Sequence, residues 1–229
     1  MAKFNEYSTL AQVAIRSAAN AFVSESKLAA EWQPLRFHAQ PNLSEAIDEY
    51  RTFRALLSNS GTEIIDLPAG AELTIDAIYT RDSILVSPKG LILCNMGRAS
   101  RTPEAKANAE AYRELGHNIA GQIQVPGTLE GGDFIWLDDQ HAAVGLGPRT
   151  NSEGIRQLQE ILGPEVELHV VELPQPDHPD DVLHLMSIIS PIDCDLALIY
   201  RPFMPDSFIS WLEGLGVGFV DVPEERSEE

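Results

Sequence analysis

Three short stretches combine carboxylates, a histidine and glycines in a way that suits chemistry on a planar cation. They are Asp76-Ala-Ile-Tyr-Thr-Arg-Asp82, Pro126-Gly-Thr-Leu-Glu130-Gly-Gly-Asp133 and Asp181-Val-Leu-His184-Leu-Met186. A carboxylate forms a bidentate, charge-assisted pair with a guanidinium, so Asp82 suits such a ligand. A histidine that titrates near neutrality can move protons, and a second carboxylate can orient it; His184 and Glu130 fit those two parts. Gly131-Gly132 lets the backbone approach a ligand closely or take φ > 0, and Pro126-Gly127 signals a turn before it. Each stretch also has a plainer explanation. Asp82 could cap a turn or pair with Arg81, Gly-Gly-Asp could be a tight turn, and His184 could be a satisfied histidine on a half-buried strand.

What favours the chemical explanation is position in a repeat. Four segments close alike, IIDLP at Pro68, IQVP at Pro126, VVELP at Pro174 and FVDVP at Pro223, about fifty residues apart, the mark of a repeated supersecondary unit. Each unit reads as strand, strand, helix, strand. Ser83–Ser87 and Leu91–Asn95 flank the turn Pro88-Lys89-Gly90, followed by a helix with Thr102 as N-cap, Pro103 in its first turn and Gly116 as its stop. Phe134–Leu137 and Ala142–Leu146 flank Asp138–His141, and Asn151 caps a helix with Ile155, Leu158 and Leu162 on one stripe before the strand Val166–Leu173. The fourth unit has strands Leu183–Ser190 and Asp195–Tyr200, a helix near Asp206–Leu215 and the strand Gly218–Val222. The first is a looser copy: strand Val13–Arg16, helix Ser44–Leu57, strand Glu63–Leu67. Ala18–Gln40 reads as irregular, a lid or a surface loop. Hairpins argue against an ordinary layered α/β sheet and for radially arranged modules, in which equivalent positions converge; Asp82, Glu130 and His184 are then expected around one pocket.

The chain has 229 residues, 44% of them hydrophobic, and a formal net charge of −19. Such a charge repels phosphate backbones and anionic membrane surfaces, so neither nucleic acid nor a membrane is an expected partner, whereas a cationic small molecule is attracted. The sequence shows no apolar run of bilayer-spanning length and no secretory h-region, and its two cysteines, Cys94 and Cys194, do not make a disulfide framework; the reading is cytoplasmic. Self-association into a homo-oligomer is compatible with this composition.

Pro126–Asp133 followed by Gly147-Pro-Arg149-Thr-Asn151 resembles the dimethylarginine dimethylaminohydrolases, and the Thr-Arg-Asp ending at Asp82 is similar to a motif shared with arginine deiminases. The wider superfamily, which includes amidinotransferases, has a five-bladed α/β propeller, the pentein fold. The resemblance covers about Ala11 to Pro223, as a single domain with modules at about 8–68, 75–126, 127–174 and 181–223. It implies that Glu130 and His184 belong to the catalytic set, that Asp82 binds the guanidinium and that Asp76 is a second substrate-binding carboxylate. Arg149 would grip the substrate carboxylate, with Arg101 as its partner. The implied reaction is hydrolysis of a methylated or substituted arginine, dimethylarginine giving citrulline and an amine, through a cysteine thiouronium and without metal or cofactor. Deimination, amidino transfer or non-catalytic binding of arginine analogues are the alternatives.

Two departures qualify the resemblance. Where deiminases and amidinotransferases show His-x-Asp, this chain has His184-Leu185-Met186, and an apolar group there suits a methylated nitrogen. Arg81 stands where some dimethylaminohydrolases have an acid. The family's nucleophile lies late in a fifth module, and this sequence reaches Glu229 soon after the fourth. The expectation is therefore a C-terminally truncated chain that lacks the nucleophilic cysteine and is inactive alone, with structural parts for Cys94 and Cys194.

Overall fold

The computed structural model describes residues 4–175 and 183–223. Asp181 and the acidic stretch 224–229 lie outside them.

The first unit runs β1 (Gln12–Ile15), α1 (Ala18–Phe22), α2 (Glu25–Glu31), α3 (Leu43–Asn59) and β2 (Glu63–Asp66). β1 and β2 pair parallel, Gln12 opposite Glu63 and Ile15 opposite Asp66, a geometry that requires a crossover connection such as these helices provide. The segment expected to be irregular is therefore helical over two short stretches. Ser17 and Ser24 explain why: their side chains accept from the backbone N–H groups of Asn20 and Lys27 and satisfy donors that a helix start leaves open.

The second unit holds β3 (Ile84–Ser87), β4 (Gly90–Leu93), α4 (Pro103–Glu114) and β5 (Ile119–Gln122). The hairpin pairs Ile84 with Leu93, and β5 lies parallel to β4. Gly90 turns it at φ +123°, where a side chain would also strike the Asn118 carbonyl at 2.6 Å. Thr102 precedes α4 but does not cap it: a turn of 3-10 helix over Ala99–Arg101 already holds Thr102 in a helical conformation, and its hydroxyl donates back to the Ala99 carbonyl.

The third unit repeats the order with β6 (Phe134–Trp136), β7 (His141–Leu146), α5 (Ser152–Leu162) and β8 (Glu167–Glu172). Asn151 caps α5 by accepting from Gly154 N at 2.8 Å, and Ile155, Leu158 and Leu162 face inward. In the fourth unit, β9 (Ile189–Asp193), β10 (Leu196–Ile199), α6 (Asp206–Gly214) and β11 (Gly218–Asp221) follow. The strand expected from Leu183 starts only at Ile189, because Leu185–Ser187 form a turn of 3-10 helix closed by the His184 N–H donating to Ser187 Oγ.

The described residues thus form a mixed α/β fold of four small, open sheets. Three share one order, with an antiparallel hairpin and then a parallel strand beside its second member. The period of two in β6 decides how neighbours pack. Phe134 and Trp136 enter a core with Leu85, Ile92, Val144 and Leu158, while Ile135 enters another with Ile189, Ile199 and Phe208. Both faces of that sheet are covered, which accounts for its unbroken apolar run. A third core joins Ala18, Phe22, Leu28 and Leu35 to Ile75, so the first unit's helices pack against the turn that carries Asp76. Among the described residues no helix is long and apolar enough to cross a membrane.

Candidate active site

A cavity of about 230 Å³ opens where these units meet, lined by Asp76, Tyr79, Asp82, Arg98, Arg101, Glu130, Arg149 and His184. The six residues singled out in the sequence are all brought together. Tyr79 and Arg98 are added by the structure.

Two tight turns carry the acids of the second unit. Asp76 lies in the 3-10 turn Ile75–Ile78, whose first N–H donates to Glu31 Oε2 of α2 at 2.9 Å. Its side chain is buried, and burial pushes its pKa up against the opposing charges of Arg98 and Arg101. Oδ2 lies 3.1 Å from Arg98 Nη1, yet without hydrogen-bond alignment: no described donor points at this buried oxygen. Asp82, in the next turn, accepts from Gly132 N through Oδ1 (3.1 Å) and from Arg101 Nη1 through Oδ2 (2.6 Å). The glycine pair is a packing requirement. A Cβ at Gly131 would lie 2.2 Å from the Arg81 carbonyl oxygen, and one at Gly132 would lie 2.9 Å from His184 Cγ and 3.0 Å from Asp82 Oδ1.

Glu130 is fully buried at the start of that glycine turn. Oε2 lies 3.0 Å from His184 Nε2, and Oε1 accepts from Arg98 N (3.0 Å) and Arg149 Nη1 (3.3 Å). Burial works to raise its pKa, but the His184 hydrogen bond, the Arg149 charge and the Arg98 N–H outweigh it and hold Glu130 below the ordinary value. The converse holds at His184. Burial works to lower its pKa, and the Glu130 bond with the charges of Asp133 and Asp82 raises it, which favours the protonated ring facing Glu130 through Nε2.

Asp133 supports both partners from beneath. It accepts from Thr150 Oγ1 (2.6 Å) and Leu185 N (3.1 Å), and Thr150 Oγ1 in turn accepts from Glu130 N. Burial raises its pKa to about 6, with His184 and these donors opposing.

The arginines differ in how far they are committed. Arg101 spends Nε and Nη2 on Glu104, Nη1 on Asp82 and Nη2 also on the Tyr79 carbonyl, with 5% of its side chain exposed. Arg149 starts the segment leading into α5 and keeps 16% of its side chain exposed. Arg98, at 25%, donates Nη2 to the Leu35 carbonyl at 2.9 Å. Arg81 turns away: its Nη2 donates to Glu6 and to the Phe134 carbonyl.

Met186, expected beside the guanidinium edge, is exposed and does not line the cavity, because the turn at Leu185 buries the leucine instead. Neither cysteine lines it. Cys94 sits in the core between the second and third units, where burial pushes its thiol far up. Cys194 is on the exposed β9–β10 turn, its pKa raised by desolvation and by Asp193 and Asp195.

A family model described as arginine deiminase matches residues 74–217, the stretch that carries all eight lining residues. The chain belongs to the arginine deiminase family. Within the family's wider DDAH, amidinotransferase and deiminase superfamily, it is 26% identical over 193 residues to the N(G),N(G)-dimethylarginine dimethylaminohydrolase of Pseudomonas aeruginosa, covering 82% of this chain and 69% of that one. The Streptomyces coelicolor enzyme of the same name is 27% identical over 180 residues, covering 79% of this chain and 64% of that one. The fold matches the citrulline-complexed P. aeruginosa DDAH mutant with a TM-score of 0.73 at 24% identity, over 96% of this chain and 79% of the other. It matches the inosamine-phosphate amidinotransferase of Streptomyces griseus with a TM-score of 0.69 at 19% identity, over 96% and 75%.

Proposed function

We propose that this member of the arginine deiminase family acts on the amidine carbon of a methylated or otherwise substituted arginine, as its dimethylaminohydrolase relatives are named for. The observation that carries the reading is the Glu130–His184 hydrogen bond of 3.0 Å beside Asp82, inside one cavity. In this reading Asp82 and Asp76 hold the guanidinium. Each carboxylate oxygen has two acceptor sites, so Asp82 can keep Arg101 and still receive a ligand N–H, and the unpartnered Oδ2 of Asp76 is a second acceptor. His184, protonated beside Glu130, gives its proton to the departing amine and then takes one from water. Arg149 meets the carboxylate end.

A thiolate must attack the guanidinium carbon for this chemistry, its sulfur bonding to carbon as the C–N bond breaks and the amine leaves with the proton. The sequence has two cysteines and neither lines the cavity, so the groups described bind and polarise a guanidinium without forming the thiouronium by themselves. The same observation favours a second reading, a protein that holds arginine analogues without turnover. We read the four strand-and-helix units as blades of a radial α/β arrangement; the sheet covered on both faces supports this.

Calorimetric titration with Nω,Nω-dimethyl-L-arginine and a citrulline assay test the proposal on residues 1–229. Binding without citrulline is expected. No binding would refute the pocket, and turnover abolished by Cys94→Ser or Cys194→Ser would refute the assignment of the cysteines. Should a cysteine supplied from outside the chain restore turnover, release of dimethylamine, of ammonia, or of a transferred amidino group would separate hydrolysis of a methylated substrate from deimination and amidino transfer.

A further inference from the structure

We infer that Arg16, which does not line the cavity, is a positioning residue for Asp76: its guanidinium fixes the turn that aims that carboxylate into the site. The inference rests on the reading above for what Asp76 does there, and on the contacts of Arg16 for how Asp76 is held.

Arg16 follows β1 and is 1% exposed, so its charge lies out of water. Among the described residues its hydrogen bonds go to uncharged oxygens. Nε donates to the Pro68 carbonyl (3.0 Å), Nη1 to the Ala77 carbonyl (2.8 Å) and Nη2 to Asn108 Oδ1 (2.6 Å). Burial accordingly pushes its pKa down, with the charge of Glu104 opposing. A cation buried without a bonded anion carries a large desolvation penalty. Neutral donors could satisfy two carbonyls and an amide with less of it. What they do not supply is the rigid fork: a guanidinium presents its donors in one plane at fixed angles, so acceptors bound to it are held at fixed mutual positions.

Those acceptors come from three separate parts of the chain. Pro68 follows β2, Ala77 lies in the turn Ile75–Ile78, and Asn108 is on α4. The turn is therefore pinned on both sides of Asp76, by Glu31 Oε2 at the Ile75 N–H (2.9 Å) and by Arg16 at the Ala77 carbonyl. The pinning matters because no aligned donor among the described residues meets the buried Oδ2 of Asp76, so the backbone decides where that oxygen points. The same network reaches the next turn. Asn108 Nδ2 donates to Ser83 Oγ (2.8 Å), whose hydroxyl donates to the Thr80 carbonyl, and Thr80 Oγ1 donates to the Ala14 carbonyl of β1.

Calorimetry with Nω,Nω-dimethyl-L-arginine on the full chain would follow Arg16→Lys and Arg16→Met, each with Asp76 intact and with Asp76→Ala. Lysine keeps the charge but not the fork, and methionine keeps neither. With Asp76 intact, both should weaken binding by about fivefold or more. In the Asp76→Ala background the further loss should be less than about twofold, because a residue that acts through Asp76 has nothing left to act on. Urea unfolding checks that both variants are folded. Equal losses in the two backgrounds, no loss in either, or failure of both variants to fold would overturn the positioning role. A ligand-free measurement separates it from the pocket reading. The Asp76 carboxyl, which burial holds above its ordinary pKa, should titrate lower in Arg16→Met as the loosened turn admits water. An unmoved titration would overturn the positioning whatever the calorimetry shows. A titration that moves in a chain that binds no dimethylarginine would overturn the pocket reading and leave the positioning standing.

Discussion

Replacing Glu130 by Gln should make the stability of this chain depend on pH in a way that isolates its bond to His184. The wild-type carboxylate accepts from three donors: His184 Nε2 at 3.0 Å, Arg98 N at 3.0 Å and Arg149 Nη1 at 3.3 Å. A glutamine has one carbonyl oxygen. Turned toward Arg98 and Arg149, it keeps those two bonds and sets its NH2 against the His184 Nε2–H. Hydrogen bonds to charged groups contribute about 1.5–3 kcal/mol, and an unsatisfied buried donor costs a similar amount, so about 3 kcal/mol is expected where His184 is protonated.

The sign follows from the two shifts. The raised pKa of His184 means that its share of stability is fully present below its unfolded value, 6.5, and is lost as pH rises through the higher folded value. The lowered pKa of Glu130 means that its share is present above its unfolded value, 4.5, and is lost as pH falls through the lower folded value. The pair is therefore worth most between pH 4.5 and 6.5. Above the folded pKa of His184 a neutral imidazole can accept from the glutamine NH2, and the penalty shrinks. Urea unfolding of both proteins at pH 6 and pH 9, with the His184 ring resonance titrated alongside, would show it. The reasoning fails if the difference in unfolding free energy is the same at both pH values, or if the His184 titration does not move downward in the variant.

Asp82→Ala should weaken binding of Nω,Nω-dimethyl-L-arginine by about 2–3 kcal/mol, because the guanidinium loses a charge-assisted partner; unchanged affinity by calorimetry would remove Asp82 from the site. Gly131→Ala should destabilise the chain more than Gly132→Ala, on the order of 1–3 kcal/mol, since its Cβ meets the backbone oxygen of Arg81 at 2.2 Å whereas that of Gly132 meets mainly side-chain atoms; thermal unfolding ranks the two. In native protein a thiol reagent should label Cys194 at once and Cys94 only on unfolding, and reaction of both at one rate would contradict the buried position of Cys94.

What the sequence determined by itself is what short-range forces decide. The cap at Asn151 and the stripe Ile155, Leu158, Leu162 depend on neighbours within a few turns of chain, and both are found where the pattern puts them. The hairpins β3–β4 and β6–β7 are likewise marked by their turns. Asp82, Glu130 and His184 could be named from their motifs because those motifs recur at one position of a repeated unit, and repetition maps positions in sequence onto a common place in space, whereas Asp76 is named only by the family resemblance.

Local signals failed where a distant partner overrode them. Thr102 is drawn into a 3-10 turn that Arg101 needs in order to reach Glu104 and Asp82 together, so it does not cap. The run from Leu183 looks like a strand, but Asp133, about fifty residues earlier, takes the Leu185 N–H and folds it into a turn that aims His184 at Glu130 and leaves Met186 outside. Only the tertiary structure divided the work among the arginines. Nothing near Arg98 in the chain marks it as a pocket residue. Its place depends on a carbonyl at Leu35, a carboxylate at Asp76 and a close backbone approach between Gly97 and Arg149. Charge pairing falls off with distance through space and is blind to separation along the chain, so which cation meets which carboxylate is decided by the packing of whole units.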